Sequence, residues 1–335
     1  MLEIINARDL SLPVSARDWL LQLSGPTVVE VPGRDTGQWR AVSTLVHGNE
    51  PSGFLAAFDF LRSRTVPATN LALVISSVRA ARHPPLFMHR QMPGEYDLNR
   101  RFGRPPGHDS VSELASRIAD YLCTRRPRQL VDLHNTSGQG PAFGVAVSDR
   151  QAVKQLVSLF TPRMILTRLI VGSLMEQNFG CPVATIECGA AGDEAAHRLA
   201  CEGLSRFAQA ADLEALGSPD LAVYYHPVRV TVRPGISLDY GACACEDVDI
   251  TLDSEIEAFN SRITIAGSRL GWLHRELGEC LQARDEQGRD IIETLFQHQA
   301  GELIARRHLQ LFMATRRDDI ALADCLFYAI ETGLP

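Results

Sequence analysis

Apolar runs and helical patterns alternate along the first two thirds of the chain. The β-branched runs Thr27–Val31 and Trp39–Val46 are separated by Gly33-Arg-Asp-Thr-Gly37, a combination that predicts a β-hairpin. Apolar residues in Ser52–Leu61 recur at the spacing of one helix face. Leu71–Val78 is almost continuously apolar, which is typical of a strand buried on both faces.

The same alternation continues to about residue 216. Ser110–Cys123 has a helical pattern, and Gln129–Leu133 and Val183–Ile186 look like short buried strands. Asp193 is a suitable N-cap for a helix that extends to about Leu216. Strands that alternate with helices predict an α/β fold with a mostly parallel sheet covered by helices.

The pattern changes around Gly217-Ser-Pro-Asp220. Val228–Arg233 alternates apolar and polar residues, as a half-buried strand does, and a Pro-Gly turn follows it. Three later runs also look like short strands: Ile263–Ile265, Gly301–Ile304 and Leu309–Met313. We therefore predict a catalytic α/β domain over residues 1–218 and a smaller, β-rich C-terminal domain over 219–335.

Composition narrows the class of protein. The chain has 335 residues, of which 45% are apolar and 22% charged, so it can bury a sizeable core. A net charge of −7 argues against a nucleic-acid partner. Neither a membrane-spanning run nor a signal peptide is evident, and the eight cysteines form no C-x-x-C pair. These features predict a cytoplasmic protein with reduced thiols and no membrane partner. They are compatible with either a monomer or a homo-oligomer.

Residues that can bind a metal follow the apolar strands. Trp39–Val46 leads to His47, with Glu50 just beyond; Gln129–Leu133 leads to His134. Ligands of open parallel sheets bind outside the carboxyl ends of the strands, so these residues are expected to gather at one edge. Two histidines and one carboxylate are a ligand set of catalytic zinc, which keeps a fourth position open.

The turn between His47 and the following helix has two glycines and a proline. We expect Gly48 and Gly53 to give the turn conformational freedom. Pro51 suits the first turn of a helix.

A zinc site of this kind also needs a carboxylate that does not bind the metal. Zinc lowers the pKa of its water to about 7, and a second carboxylate then passes the proton to the leaving nitrogen. Glu187, which follows the strand Val183–Ile186, is the candidate.

The polar loop over about residues 79–110 is rich in arginine. Guanidinium groups bind carboxylates in bidentate fashion, so the loop suits an anionic substrate, although a solvated surface loop is an equal alternative. The arginines are Arg79, Arg82, Arg90, Arg100, Arg101 and Arg104.

Four short motifs occur in an order that is specific as a set. The chain resembles the succinylglutamate desuccinylase/aspartoacylase family, a branch of the zinc carboxypeptidase-like enzymes with the M14-type fold, over about residues 40–190. The motifs are His47-Gly-Asn-Glu50, Asp97-Leu-Asn-Arg100, Asp132-Leu-His-Asn-Thr136 and Ile186-Glu-Cys-Gly189.

The resemblance implies that His47, Glu50 and His134 hold one zinc ion per chain, and that Glu187 is the general base. Cobalt, manganese and nickel also bind such ligands. Asp132 is either a residue that orients a zinc histidine or an ordinary strand-end aspartate.

The resemblance also implies how the substrate is held. Asn99 and Arg100 match the pair that binds a substrate carboxylate. An arginine shortly before them steadies the oxyanion; Arg90 is our choice, with Arg82 as the alternative. Asn135 and Thr136 are expected to shape the site.

Two departures from the aspartoacylase pattern concern the substrate. The segment Gly172–Phe179 lacks the arginine that reads a second substrate carboxylate, and Cys188-Gly-Ala-Ala-Gly-Asp193 differs from the aspartoacylase sequence. N-acetylaspartate is therefore not the expected substrate.

We predict a zinc-dependent amide hydrolase, a deacylase, that acts on an N-acyl amino acid or a similar small anionic carboxylate. One alternative is a zinc carboxypeptidase that cleaves short peptides. A second is a non-catalytic member of the fold that binds a ligand, although ligand binding alone has no chemical need for Glu187.

Overall fold

The computed structural model describes residues 1–105, 107, 109–213, 215 and 217–333. In this described part, a nine-stranded sheet forms in the order β1-β2-β4-β3-β5-β8-β6-β7-β9. Its strands are β1 (Glu3–Asn6), β2 (Thr27–Val31), β3 (Asp35–Thr44), β4 (Thr69–Ile75), β5 (Leu130–Thr136), β6 (Phe143–Ala146), β7 (Arg163–Leu166), β8 (Val183–Ala190) and β9 (Ala222–Tyr225).

Helices alternate with these strands. They are α1 (Ala16–Gln22), α2 (Ser52–Ser63), α3 (Val78–Arg82), α4 (Ser110–Arg125), α5 (Gln151–Ser158) and α6 (Glu194–Gln209), with short 3₁₀ turns at Leu98–Arg100 and Leu174–Glu176. The predicted N-cap of α6 is confirmed, since the Asp193 side chain accepts a hydrogen bond from the Ala195 amide. The helix ends at Gln209, earlier than predicted, and Leu216 lies outside the described residues.

The centre of the sheet is parallel. β3 pairs in parallel with both β4 and β5, and β1 pairs in parallel with β2, whereas β2–β4 and β6–β8 are antiparallel. Every residue of β4 and β5 is buried. The predicted fold class, a mostly parallel sheet with helices and additional β-rich sheets, is confirmed.

The predicted hairpin between Thr27–Val31 and Trp39–Val46 is wrong. β4 lies between β2 and β3 and pairs with both. The strongly apolar β4 is buried on both faces at this interior position, and α2 provides the crossover that a parallel β3–β4 pair requires.

The described chain divides into two compact units. The first comprises Met1–Asn135, Ala142–Ile165 and Ile170–Val223, and the second comprises Thr136–Pro141, Leu166–Leu169 and the chain from Tyr224 onward. The division of roles between a catalytic domain over 1–218 and a domain over 219–335 remains a prediction.

The second unit contains two five-stranded sheets in its described residues, in the orders β13-β18-β19-β10-β15 and β11-β12-β14-β17-β16. The three short strands predicted there are confirmed. The strands are β10 (Val228–Val232), β11 (Leu238–Gly241), β12 (Ile250–Asp253), β13 (Ile263–Thr264), β14 (Arg269–Leu273), β15 (Leu281–Arg284), β16 (Phe296–Gln299), β17 (Glu302–Ala305), β18 (Leu309–Phe312) and β19 (Phe327–Glu331). Short helices accompany them: α7 (Leu277–Cys280), α8 (Ile292–Leu295), α9 (Asp318–Ala323) and a 3₁₀ turn at Ile256–Ser261.

Across the described residues, no helix combines the length and the apolar character needed to cross a membrane.

The glycines near the start of α2 serve close packing. A Cβ on Gly48 would lie 2.6 Å from the Ala81 amide nitrogen, and a Cβ on Gly53 would lie 2.8 Å from Leu133 Cβ. Neither glycine is among the residues with positive φ, whereas Leu45 has φ of 49°. The expectation that these glycines supply conformational freedom is therefore wrong: they let α3 and α2 approach the segments that carry His47 and His134.

Gly53→Ala is expected to lower the free energy of unfolding by about 1–3 kcal/mol. Alanine favours a helix, but its methyl group would also lie 3.1 Å from Thr44 Cγ2, and both neighbours belong to buried strands. Urea unfolding measures the change. Gly25→Ala, where a Cβ meets nothing within 4 Å, is the matched control and should change stability by less than about 0.5 kcal/mol. Equal effects in both variants would contradict the packing argument.

Candidate metal centre

His47, Glu50 and His134 lie together in the first unit. Their ligand atoms are all within 4.8 Å of one another, and the three residues are buried. His47 and Glu50 come from the segment that joins β3 to α2, and His134 comes from β5. The structure therefore brings together the three residues that the sequence predicted to gather at one edge of the sheet. His134 lies inside its strand, as Glu187 lies inside β8, because β5 and β8 extend beyond the apolar runs.

Both imidazole rings face the Glu50 carboxylate through Nδ1. His47 Nδ1 is 2.8 Å from Glu50 Oε1, and His134 Nδ1 is 2.7 Å from Glu50 Oε2. The opposite ring nitrogens also contact carboxylates: His47 Nε2 is 3.0 Å from Asp97 Oδ1, and His134 Nε2 is 2.8 Å from Asp132 Oδ2.

This arrangement fits a metal ion. A neutral histidine that donates its Nε2 hydrogen to Asp97 or Asp132 presents the Nδ1 lone pair to Glu50, which is itself an acceptor. Lone pairs that face a carboxylate at hydrogen-bond distance need a cation between them, either protons or a metal. A carboxylate behind each ligating histidine is also the usual outer contact of metal sites, because it fixes the tautomer and the ring orientation.

The charges around the cluster favour a cation. Burial opposes ionisation of Glu50, yet His47 and His134 hold the pKa of Glu50 well below its ordinary value. Burial lowers the pKa of His134, but Asp132 and Glu50 outweigh it and raise that pKa well above the usual range. The pKa of His47 is also raised, because Glu50 and Asp97 outweigh burial and Arg90. The cluster thus stabilises positive charge at its centre.

Glu187 is a buried carboxyl group with an uncommitted oxygen. The residue is 7% exposed, and its Oε2 has no hydrogen-bond partner among the described residues. Burial, aided by Glu50, raises the pKa of Glu187 to about 8, against the opposing effect of His134. A carboxyl group with a pKa near neutrality is suited to proton transfer.

Arg90 contacts the cluster directly. Its Nε and Nη2 donate to Asp97 Oδ2 at 3.1 and 2.9 Å, and its Nη1 lies 3.4 Å from Glu50 Oε1. The guanidinium of Arg82 instead donates to the Leu23 carbonyl, beyond the end of α1. Of the two arginines considered for the oxyanion, the structure thus places Arg90 beside the cluster.

Asn99 and Arg100 lie on the 3₁₀ turn that Asp97 caps by accepting a hydrogen bond from the Asn99 amide at 2.7 Å. Asn99 Oδ1 accepts from the Leu174 amide at 3.1 Å, which fixes the orientation of the side-chain amide. Arg100 Nη1 donates to the Asn99 carbonyl at 3.0 Å. The same aspartate therefore positions this turn, Arg90 and His47.

Asn135 joins three segments around the cluster. Its backbone amide donates to Glu50 Oε2 at 3.2 Å, and its Oδ1 accepts from the Ser52 amide at the start of α2. Its Nδ2 donates to the Gly189 carbonyl in β8.

The sequence analysis missed that Asp97 positions His47 and Arg90. The only signal in the sequence was a carboxylate directly before Leu-Asn-Arg, and nothing in the spacing connects Asp97 to His47.

Asp132→Asn is expected to weaken zinc binding by roughly 10–100-fold, the usual cost of losing a carboxylate behind a ligating histidine. The Asp132 side chain is fully buried, so the isosteric amide keeps the packing while it removes the charge that orients His134. Competition with a chelator of known affinity measures the change, and Asp149→Asn on the surface is the control. Unchanged zinc affinity would favour the alternative of an ordinary strand-end aspartate.

Comparisons with known proteins agree with this description of the fold. Neither the protein-family models nor the curated proteins contain a match to the sequence. Solved structures do match. A succinylglutamate desuccinylase/aspartoacylase from Rhodobacter sphaeroides is 14% identical with a TM-score of 0.56, over 92% of this chain and 89% of that one.

Two further structures match over similar lengths. Succinylglutamate desuccinylase from Vibrio cholerae is 15% identical with a TM-score of 0.55, over 90% of this chain and 96% of that chain. Murine aminoacylase 3 is also 15% identical, with a TM-score of 0.54, over 89% and 96%. The chain thus has the fold of the succinylglutamate desuccinylase/aspartoacylase structures.

Proposed function

We propose that the chain is a member of the succinylglutamate desuccinylase/aspartoacylase family and works as a zinc-dependent deacylase of N-acyl amino acids or similar small carboxylates. One observation carries the proposal: two buried histidines turn Nδ1 toward Glu50 while a carboxylate contacts the other nitrogen of each ring. The names of the matching structures, a succinylglutamate desuccinylase and an aminoacylase, support acylated amino acids as the substrate class.

In this proposal, His47, Glu50 and His134 hold one zinc ion. When bound, zinc supplies Lewis acidity, which polarises a carbonyl oxygen and acidifies a water molecule. Two nitrogens and one carboxylate leave the open position that catalytic zinc sites require. Closed structural sites have four protein ligands, and the only metal-ligand group found among the described residues has three.

Glu187 is the proton carrier. It takes a proton from the attacking water as the carbon–oxygen bond forms, and gives it to the amide nitrogen as the carbon–nitrogen bond breaks. The products are a carboxylic acid and a free amine. Its burial and its uncommitted Oε2 support this role.

Arg90, Asn99 and Arg100 bind the substrate in the proposed mechanism. Arg90 is held by Asp97 beside Glu50, so its guanidinium is already oriented where negative charge develops on the carbonyl oxygen. Asn99 and Arg100 lie on one turn and bind the substrate carboxylate.

A substrate panel tests the proposal. N-acetyl, N-succinyl and longer N-acyl derivatives of acidic and apolar amino acids are compared with dipeptides, using zinc-reconstituted protein. We expect the acyl amino acids to give at least about tenfold higher kcat/KM than the dipeptides, a difference of about 1.4 kcal/mol in transition-state binding. A preference for dipeptides would favour the carboxypeptidase alternative, and no turnover of either class would favour a non-catalytic ligand-binding role.

We also propose that the protein works in the cytoplasm. All eight cysteines are free thiols, and a reducing compartment keeps them so.

A further inference from the structure

A polar cluster in the segment 171–176 has no role in the mechanism proposed above. At its centre is Glu176, which accepts hydrogen bonds at both carboxylate oxygens. Its Oε1 accepts from the Val171 amide at 2.9 Å and from the Ser173 hydroxyl at 2.8 Å, and its Oε2 accepts from the Gly172 amide at 2.8 Å. Hydrogen bonds to an ionised carboxylate are stronger than those between neutral groups, so this side chain fixes the backbone that precedes it.

The cluster does more than cap the 3₁₀ turn Leu174–Glu176. Ser173-Leu-Met-Glu176 has the spacing of a capping box, in which the serine accepts from the amide three residues later and the glutamate accepts from the serine amide. Here Ser173 makes no side-chain cap hydrogen bond, and its hydroxyl donates to Glu176 instead. The glutamate reaches further back, to the two amides before Ser173, and thereby holds the backbone outside the turn.

The backbone held by Glu176 bonds directly to Asn99. The Leu174 amide donates to Asn99 Oδ1 at 3.1 Å, and both residues are buried. Because a backbone N–H can face only the oxygen of a side-chain amide, this contact determines which way the Asn99 amide is turned. It leaves Nδ2, which is a donor, for the substrate carboxylate.

The same segment lies against the backbone of Arg100. Gly172 has φ of 89°, and a Cβ there would lie 2.7 Å from the Arg100 carbonyl oxygen. The Phe102 amide donates to the Gly172 carbonyl at 3.0 Å. Asp97 therefore caps the Asn99–Arg100 turn from one side, while the segment held by Glu176 contacts it from the other.

We infer that Glu176 is a positioning residue for recognition of the substrate carboxylate. It fixes the segment 171–174 against the Asn99–Arg100 turn, and this fixes the direction of the Asn99 amide and the path of the Arg100 backbone. The protein then prefers substrates with a carboxylate because both groups are already oriented before the substrate binds. The inference rests on the proposed function, in which Asn99 and Arg100 bind that carboxylate.

Equilibrium binding of two probes tests the role of Glu176 without any need for turnover. N-acetyl-L-leucine has the carboxylate, and N-acetyl-L-leucinamide has a neutral amide in its place. Calorimetry uses the full-length, zinc-loaded protein with Glu187→Gln as the parent, because this substitution slows hydrolysis of the probes. We expect the parent to bind N-acetyl-L-leucine at least about tenfold more tightly than the amide, the usual contribution of a charged hydrogen bond.

Glu176→Gln in this parent should weaken binding of N-acetyl-L-leucine about tenfold and binding of the amide less than about twofold, with unchanged zinc content. Glutamine has nearly the same shape, but its amide nitrogen would face a backbone N–H as a second donor. General loss of structure would instead weaken both probes. Ser173→Ala removes only the hydroxyl donor and should cause the same selective change at about two- to fivefold.

A double-mutant cycle tests whether Glu176 acts through Asn99. Asn99→Ala removes the amide that Leu174 orients, so in that background Glu176→Gln should lose most of its effect on N-acetyl-L-leucine affinity. Glu194→Gln, an exposed glutamate at the start of α6, is the matched control and should bind both probes as the parent does.

The outcomes separate this inference from the proposed function. A parent that binds both probes equally, or neither, would contradict the carboxylate site of the proposed function and this inference with it. A clear carboxylate preference that Glu176→Gln and Ser173→Ala leave intact would overturn only the role of Glu176. Equal weakening of both probes, or fully additive effects of Glu176→Gln and Asn99→Ala, would also overturn that role.

Discussion

Replacement of His134 by alanine is expected to reduce bound zinc from about one ion per chain to a small fraction and to abolish hydrolysis. His134 supplies one of the three ligand atoms that converge in the cluster, and its loss leaves two. Asp132 and Glu50, which it separates, would then face each other as buried carboxylates. The loss of activity should exceed the roughly 10²–10⁴-fold that removal of a general base costs.

The controls separate metal loss from unfolding. Metal content is measured by atomic absorption after dialysis, with the fold monitored by circular dichroism. His274→Ala, an exposed histidine in the second unit, should retain full zinc content and activity. A folded His134→Ala protein that retains one tightly bound zinc would show that the ion lies elsewhere.

Glu187→Gln is expected to lower kcat by roughly 10²–10⁴-fold while zinc content and KM change little. Glutamine has nearly the same shape as glutamate but cannot accept the proton of the attacking water. Because Glu187 Oε2 has no hydrogen-bond partner among the described residues, the substitution breaks no contact of that oxygen. The effect should therefore fall on the chemical step and leave metal binding almost unaltered.

Glu194→Gln, an exposed glutamate at the start of α6, is the matched control and should have wild-type kinetics. Steady-state kinetics with the best substrate of the panel measure both variants. Full activity of Glu187→Gln would exclude Glu187 as the proton carrier, even if the zinc site itself is correct.

The fold was predictable wherever the sequence pattern is local. The helical face of α4 and the N-cap at Asp193 depend on neighbours within a few residues. The order of strands in a sheet depends on pairing between segments that are distant in sequence. The predicted hairpin was wrong for this reason, because β2 and β3 are adjacent in sequence but separated by β4 in the sheet. The turn-forming residues Gly33 and Gly37 cannot reveal that the later strand β4 lies between β2 and β3 in the sheet.

The convergence of the three candidate metal ligands was predictable because residue type and strand position coincide. His47, Glu50 and His134 follow or end apolar runs, and a sheet brings such positions together. The contacts that orient them were not predictable, since the Asp97–His47 contact joins residues 50 positions apart, with α2, β4 and α3 between them in the chain. The close packing of Gly53 against Leu133 is likewise a tertiary contact, invisible in sequence.

Titration of zinc-free protein with zinc, with hydrolysis of the best N-acyl amino acid followed at each step, tests the central claim most directly. We expect activity to rise linearly and to stop rising at one zinc per chain, and we expect Glu187→Gln to bind the same amount of zinc while its activity stays roughly 10²–10⁴-fold lower. Hydrolysis that persists in zinc-free protein, or one bound zinc per chain without hydrolysis of any acyl amino acid or dipeptide, would contradict it.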